Sequence, residues 1–240
     1  STQYSQGSSE TNWPNWGQGS GVASGGSDID EVYDYSSLDS SNNVWGYFGF
    51  SRGTTQGSIG YTLELNQKPN TSNAPAIPNR TNGDWRFNLT QGGNGILSLA
   101  DCQKWQNGSW VNAGTCSNNA FATATSSDKS FVEFAMNITS LTGLQSTCPA
   151  QSAFTTLNLR SRESGSFSSA IKDYVKGVAF TPASNCAFLK VHAGGVRTGT
   201  STVAPLPNGA VFTATPTSGS GTPQTCTVTD GTGTCTITVA

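Results

Sequence analysis

Residues 58–65, Ser-Ile-Gly-Tyr-Thr-Leu-Glu-Leu, alternate apolar and polar side chains with a period of two. Successive side chains of a strand point to opposite faces, so the odd positions face a core and the even positions, Glu64 among them, face outward. Short runs of the same kind recur at EVYDYSS, VWGYFGFSR, DWRFNLTQ, ILSLADCQKW, SFVEFAMNI and SAFTTLNLRSR, with Gly, Asn and Pro turns between them. The 28 glycines and abundant Ser, Thr and Asn suit short strands rather than packed helices. The chain therefore reads as all-β, with a jelly-roll-like β-sandwich over residues 28–186. One helix is expected to interrupt it. Ser166 or Ser168 caps SFSSAIKDYVKG, Phe167, Ile171, Tyr174 and Val175 share a helical face, and Gly177 ends the run at one end of the sandwich.

The flanks differ in texture. Residues 1–27 carry no periodicity and end in a Gly/Ser tract, which reads as a flexible arm. Trp13 and Trp16 are the exception, since two indoles in such a segment bury a large apolar area by docking, on their own domain ahead of a partner. From residue 187 onward FLKVHAGG, LPNGAVFTATP and a closing hairpin around Asp230-Gly231 supply about four strands, so residues 187–240 read as a smaller, incomplete β-sandwich. Two sources of the missing strands are open: a longer protein of which this is a fragment, or strand addition from another subunit, for which the arm is an available donor.

The six cysteines fall as the local pairs Cys102/Cys116, Cys148/Cys186 and Cys226/Cys235, without a CxxC, and His192 is the single histidine. That pattern favours disulfides in an oxidising, extracellular setting over a zinc cage. Cys226/Cys235 would staple the closing hairpin. Sequons at Asn70, Asn79, Asn88, Asn107 and Asn137 are as readily explained by an Asn/Thr-rich composition as by glycosylation. No apolar run approaches a membrane span and no charged-then-apolar signal opens the chain, so a mature exported form without membrane insertion is expected. A net charge of −2 gives no basic field for nucleic acid.

Chemistry is thinly signposted. A single histidine disfavours a nucleophilic triad on composition alone. Paired carboxylates for glycoside hydrolysis would come from Glu64, Asp84, Glu133 and Glu163, whose alternative role is that of solvated strand residues. The chain is expected to be non-enzymatic. Asp28 and Asp30, with Glu31 and Asp34 following, gather oxygen ligands of the kind Ca²⁺ takes, against the alternative of a solvated acidic entry strand. Calcium is the one cofactor the sequence suggests. Trp45, Tyr47 and Arg52, and Trp85 with Arg86, are candidates for an aromatic and guanidinium platform that binds sugar rings or peptide, against the alternative that aromatics alternating on a strand pack in the core.

The strand FLKVHAGG followed by LPNGAVFTATP resembles the start of the prealbumin-like B-repeat domains of Gram-positive pilins and collagen-binding-type adhesins. DIDEVYDYSS, YFGFSR, LELNQKPN, RTNGD and SFSSAIKDYV are similar to the N-terminal domain of large actinobacterial surface proteins. The resemblance implies a secreted protein on the surface of a Gram-positive bacterium, acting in adhesion or as an appendage subunit. Its implied partners are a host or environmental glycan or protein surface, or copies of itself in a filament. It also implies an internal isopeptide from Lys190, but residues 191–240 contain no Glu and only Asp230, so the acid and amide partners are missing. A carbohydrate-binding module or jelly-roll glycosidase is the alternative reading.

Overall fold

The computed structural model describes residues 2–3, 9–11, 16–17, 19, 23, 25–53, 57–71, 77–114, 116, 120–146, 154–185, 187–192, 194–196, 203–205, 208–215, 222–229 and 231–239. Trp13, Cys148, Cys186 and Asp230 lie outside the described residues. The chain forms two compact units, Ser1–Gln145 with Ser152–Ala183, and Ser146–Gln151 with Ser184–Ala240.

The first unit is a sandwich of two antiparallel sheets. Its strands are β1 (Thr2–Gln3), β2 (Ile29–Leu38), β3 (Val44–Arg52), β4 (Ile59–Asn66), β5 (Trp85–Gln91), β6 (Leu97–Gln106), β7 (Ser109–Asn112), β8 (Phe121–Thr125), β9 (Phe131–Asn137), β10 (Thr156–Arg162) and β11 (Ile171–Ala179). The larger sheet runs β1-β11-β10-β4-β5-β6-β7, and the smaller runs β2-β3-β9-β8. The inner faces carry Phe48, Phe50, Val132, Phe134 and Met136 from the small sheet against Tyr61, Leu63, Leu65, Phe87, Leu89, Leu157 and Leu159 from the large one. Phe50 and Tyr61 meet across the sandwich with ring centroids 4.6 Å apart. Burial pushes the Tyr61 phenol up to about 12, although the neighbouring Arg52 opposes the shift. The disulfide Cys102–Cys116 ties β6 to the segment after β7.

The helix expected over SFSSAIKDYVKG is absent. Residues 163–170 form a loop and Ile171–Ala179 is β11, paired to β10 in registers such as Leu159↔Val175 and Leu157↔Val178. The apolar residues that share a helical face are divided by the strand: Ile171 and Tyr174 lie opposite Arg162 and Arg160 on the outer side, Val175 and Val178 lie opposite Leu159 and Leu157 on the core side, and register shifts make this pairing possible. Among the described residues an α-helix forms instead at α1 (Ile138–Thr142), where the Asn137 side chain accepts from the Ser140 N–H and Gly143 closes the end at φ 77°, and Gly25–Ser27 form a short 3-10 turn.

The second unit contains β12 (Ala187–His192), β13 (Gly194–Val196), β14 (Val203–Pro205), β15 (Val211–Ala214), β16 (Gln224–Thr227) and β17 (Thr234–Val239). They pair as β12–β17, β13–β14 and β15–β16. The closing segment is therefore not the hairpin expected around Asp230-Gly231. β16 and β17 belong to different ladders, and Cys226–Cys235 links those ladders instead of stapling a hairpin. These disulfides, Cys102–Cys116 and Cys226–Cys235, suit an oxidising, extracellular environment. Among the described residues no helix is long and apolar enough to cross a membrane.

Candidate functional site

Two faces of the first unit concentrate polar and aromatic chemistry, one on the outside of each sheet. On the large sheet, the residues that alternate away from the inter-sheet core are Thr62, Glu64 and Asn66 of β4, Arg86 and Asn88 of β5, and Asn158, Arg160 and Arg162 of β10. Cross-strand register sets Glu64 beside Arg86 and Asn158, and Thr62 beside Arg160. Glu64 thus faces outward as the alternation requires, yet it is fully buried, because a further layer covers the sheet. That layer comprises Glu10 and Trp16 from the arm, Arg80, and the 163–170 loop with Phe167.

The resulting network is charged throughout. Arg80 grips Glu64 with two hydrogen bonds of 2.9 and 3.0 Å. Arg160 donates from Nε to Glu10 at 2.7 Å and from Nη2 to Glu64 at 2.5 Å. Arg86 lies 3.7 Å from Glu10 and bonds the Gln103 amide oxygen. Asn66 bridges Glu64 and Asp84, each at 2.9 Å, and Asp84 also accepts from the Thr81 and Gln67 backbone N–H groups. Aromatic rings close the layer. Arg80 lies over Trp16, Trp105 and Trp110 at 5.4, 5.2 and 5.0 Å, and Arg86 lies over Phe167 at 3.7 Å.

Burial alone would raise the Glu64 carboxyl, but Arg80 and Arg160 outweigh it and hold it down at about 2. Glu10 is likewise lowered, with Arg160 and Arg86 overcoming its desolvation. Arg86 is brought down to about 10 by burial. Such carboxylates stay ionised and are saturated by guanidinium, so neither has a proton to give or an open face for a substrate.

The second face is the outside of the small sheet. Register places Tyr35, Tyr47, Ala135 and Ala122 in one row across it, and Tyr33, Gly49, Glu133 and Ala124 in the next. Tyr33, Tyr35 and Tyr47 are 52%, 66% and 41% exposed. The Tyr35 and Tyr47 rings lie 6.0 Å apart, and Tyr33 meets Phe131 edge-on at 6.0 Å. Small residues leave a groove of about 420 Å³ beside this tyrosine wall, with the Glu133 carboxylate along it. Gly49 permits the arrangement, since a Cβ there would lie 2.8 Å from the Phe131 ring. The Tyr33 hydroxyl donates to Glu31 at 2.5 Å, which raises its pKa.

The platform expected from the sequence is therefore divided. Trp45 and Tyr47 lie on this outer face, with the Trp45 indole N–H donating to Asp39 at 3.1 Å. Arg52 is buried and bonds the Lys129 carbonyl, and Trp85 is buried in the core, stacked on Phe87. Sequence reasoning missed Tyr33 and Tyr35, because alternation in EVYDYSS places both tyrosines on one side of β2 without saying that this side is exposed. The carboxylate candidates also separate. Glu64 and Asp84 lie on one outer face, Glu133 on the other, and Glu163 is exposed beside Lys172 at 3.5 Å. The sandwich, with sheets roughly 10 Å apart, stands between Glu64 and Glu133, so they cannot flank one bond.

Asp28 is partly buried and Asp30 exposed, on either side of fully buried Ile29. Among the described residues no group of three or more His, Cys, Asp or Glu is placed to hold a metal ion. Lys190, on β12 opposite Thr236, is exposed, whereas an isopeptide-forming lysine needs a buried amine. No family model, no curated protein and no solved structure matches this chain.

Proposed function

We propose that this is a non-enzymatic extracellular protein that adheres through the tyrosine face of its small sheet, and that the ligand is a glycan chain. The observation that carries the reading is the cluster of exposed rings, Tyr33, Tyr35 and Tyr47, in two adjacent rows beside Gly49, Ala122, Ala124 and Ala135. Aromatic faces stack on the apolar faces of sugar rings, and the Glu133 carboxylate and tyrosine hydroxyls offer partners to sugar hydroxyls. The locked state of Glu10 and Glu64, and the sandwich between Glu64 and Glu133, support binding over hydrolysis. The resemblance of the sequence to Gram-positive adhesins supports a place on the bacterial surface.

The test is retention on insoluble polysaccharides and on a glycan array. Tyr35→Ala and Tyr47→Ala should each weaken binding roughly tenfold, about 1.4 kcal/mol, without altering the thermal midpoint. Binding unchanged by both substitutions would overturn the reading, and so would release of reducing sugar by the parent protein.

A further inference from the structure

Glu133 lies along the groove of the tyrosine face, and its state is the opposite of that of Glu64. It is exposed. Apart from the strand ladder, its one hydrogen bond among the described residues is accepted by its backbone carbonyl, from the Thr123 hydroxyl at 3.1 Å, so the carboxylate has no partner there. The rest of the face leaves that charge unbalanced. Across the paired rows of β2, β3, β9 and β8 the outward residues include a second carboxylate, Glu31, and no lysine or arginine. Lys129, close by in the chain, is turned away, its ammonium donating to the Gly93 carbonyl at 2.9 Å, and Arg52 is buried against the Lys129 carbonyl.

Aromatic rings border the charge. Glu133 stands directly across from Gly49, where the Phe131 ring lies over the backbone, and diagonally from Tyr47, which pairs with Ala135. Diagonal neighbours on a sheet are roughly 7–8 Å apart, within reach of long and aromatic side chains. Tyr33 lies in the same row as Glu133 and meets Phe131 edge-on. An aromatic face attracts a cation through its quadrupole, and a carboxylate attracts one by its charge, so both features select the same sign of ligand charge. A neutral sugar uses the rings and leaves the carboxylate without a counter-charge. An acidic sugar is repelled by it.

We propose that the tyrosine face selects glycans built from amino sugars whose amino groups are free and protonated. Sugar rings stack on Tyr35 and Tyr47, and an ammonium sits between the Glu133 carboxylate and the Tyr47 and Phe131 rings. This selectivity rests on the glycan-binding reading above and adds to it the charge of the sugar and the residue that reads it. Glu133 is exposed, so the ion pair is screened by water and salt. An exposed ion pair and an exposed cation–π contact together amount to roughly tenfold in affinity.

The experiment measures the affinity of the full chain for chitosan and chitin oligomers of equal length, which differ only in whether the nitrogen carries a charge or an acetyl group. Titration at low salt and about pH 6 keeps the amines protonated. The chitosan oligomer should bind roughly tenfold more tightly, the difference should shrink at high salt, and Glu133→Gln should bring the ratio to about one. Glu163→Gln, which removes the same charge from an exposed site outside the face, should leave the ratio as it is. Equal affinities for the two oligomers, or a preference that survives Glu133→Gln, would overturn the proposal, and the glycan reading would then stand on the losses in Tyr35→Ala and Tyr47→Ala. Failure of both oligomers to bind while other glycans are retained on the array would overturn it in the same way. A lysine oligopeptide held more tightly than the chitosan oligomer, with the same dependence on Glu133, would also overturn it by assigning the face to a cationic peptide. Retention of no glycan at all sinks the glycan reading and this selectivity with it.

Discussion

Glu64 shows how a single residue can be read correctly in direction and wrongly in environment. Removing its charge leaves Arg80 and Arg160 buried against a neutral amide, so Glu64→Gln should cost about 3–5 kcal/mol in urea unfolding, while binding through the tyrosine face stays intact. The pH dependence follows from the direction of the shifts. Glu64, held at about 2, and Glu10, also lowered, carry depressed folded-state values, so their stabilisation is fully present above the ordinary glutamate range near 4.5 and is lost as pH falls through the folded values. Stability measured from pH 7 to pH 2 should be flat with respect to these two groups down to about pH 5 and then fall, and Glu64→Gln should flatten the acid limb. An acid limb unchanged by that substitution would show that other carboxylates dominate it. Gly60 is a residue of the opposite kind, set by backbone proximity. A Cβ there would run into the Ser164 carbonyl oxygen, so Gly60→Ala should destabilise by about 1–3 kcal/mol and free the 163–170 loop to exchange its amide hydrogens.

At the scale of elements, the seven strand segments expected in the first unit all form, within a residue or a few at their ends, because each combines alternation with β-branched or aromatic residues between turn formers. β1, β7, β8 and β11 were missed. Ser109–Asn112 and Phe121–Thr125 are short and polar, and they become strands by pairing with β6 and β9. β11 is a sharper case, since its helical spacing is real and is overruled by the neighbouring β10. Amide exchange should therefore show protection along 171–179 in the alternating pattern of a paired strand, with 163–170 fast; uniform protection from 166 to 176 would restore the helix. The Cys102–Cys116 staple spans 14 residues at the β6–β7 end. Replacing both cysteines by serine should lower stability by roughly 3 kcal/mol, read as a drop in the thermal midpoint with the tyrosine face still competent to bind.

For the whole molecule, the arm matters most. Residues 1–27 were expected as a flexible segment with Trp13 and Trp16 docking on their own domain; Trp16 does pack on the first unit, and Glu10, Ala23 and Ser27, for which no docking was expected, are buried as well. Composition could not show this, since Gly/Ser content reports local freedom and not the presence of a receptor elsewhere in the chain. The sequence by itself determined the all-β sandwich, most of its strands and the local cysteine pairs that the structure describes, because alternation, turn chemistry and short-range cysteine spacing are written in consecutive residues. Only the tertiary structure decided which faces are wet. Period-two alternation assigns a residue to one side of a sheet but cannot say whether water or another layer lies there. On the large sheet an arm whose Glu10 lies 150 positions from its partner Arg160 turned the outward side into a buried layer of arginine, carboxylate and indole, while on the small sheet the same kind of alternation left three tyrosines exposed to solvent.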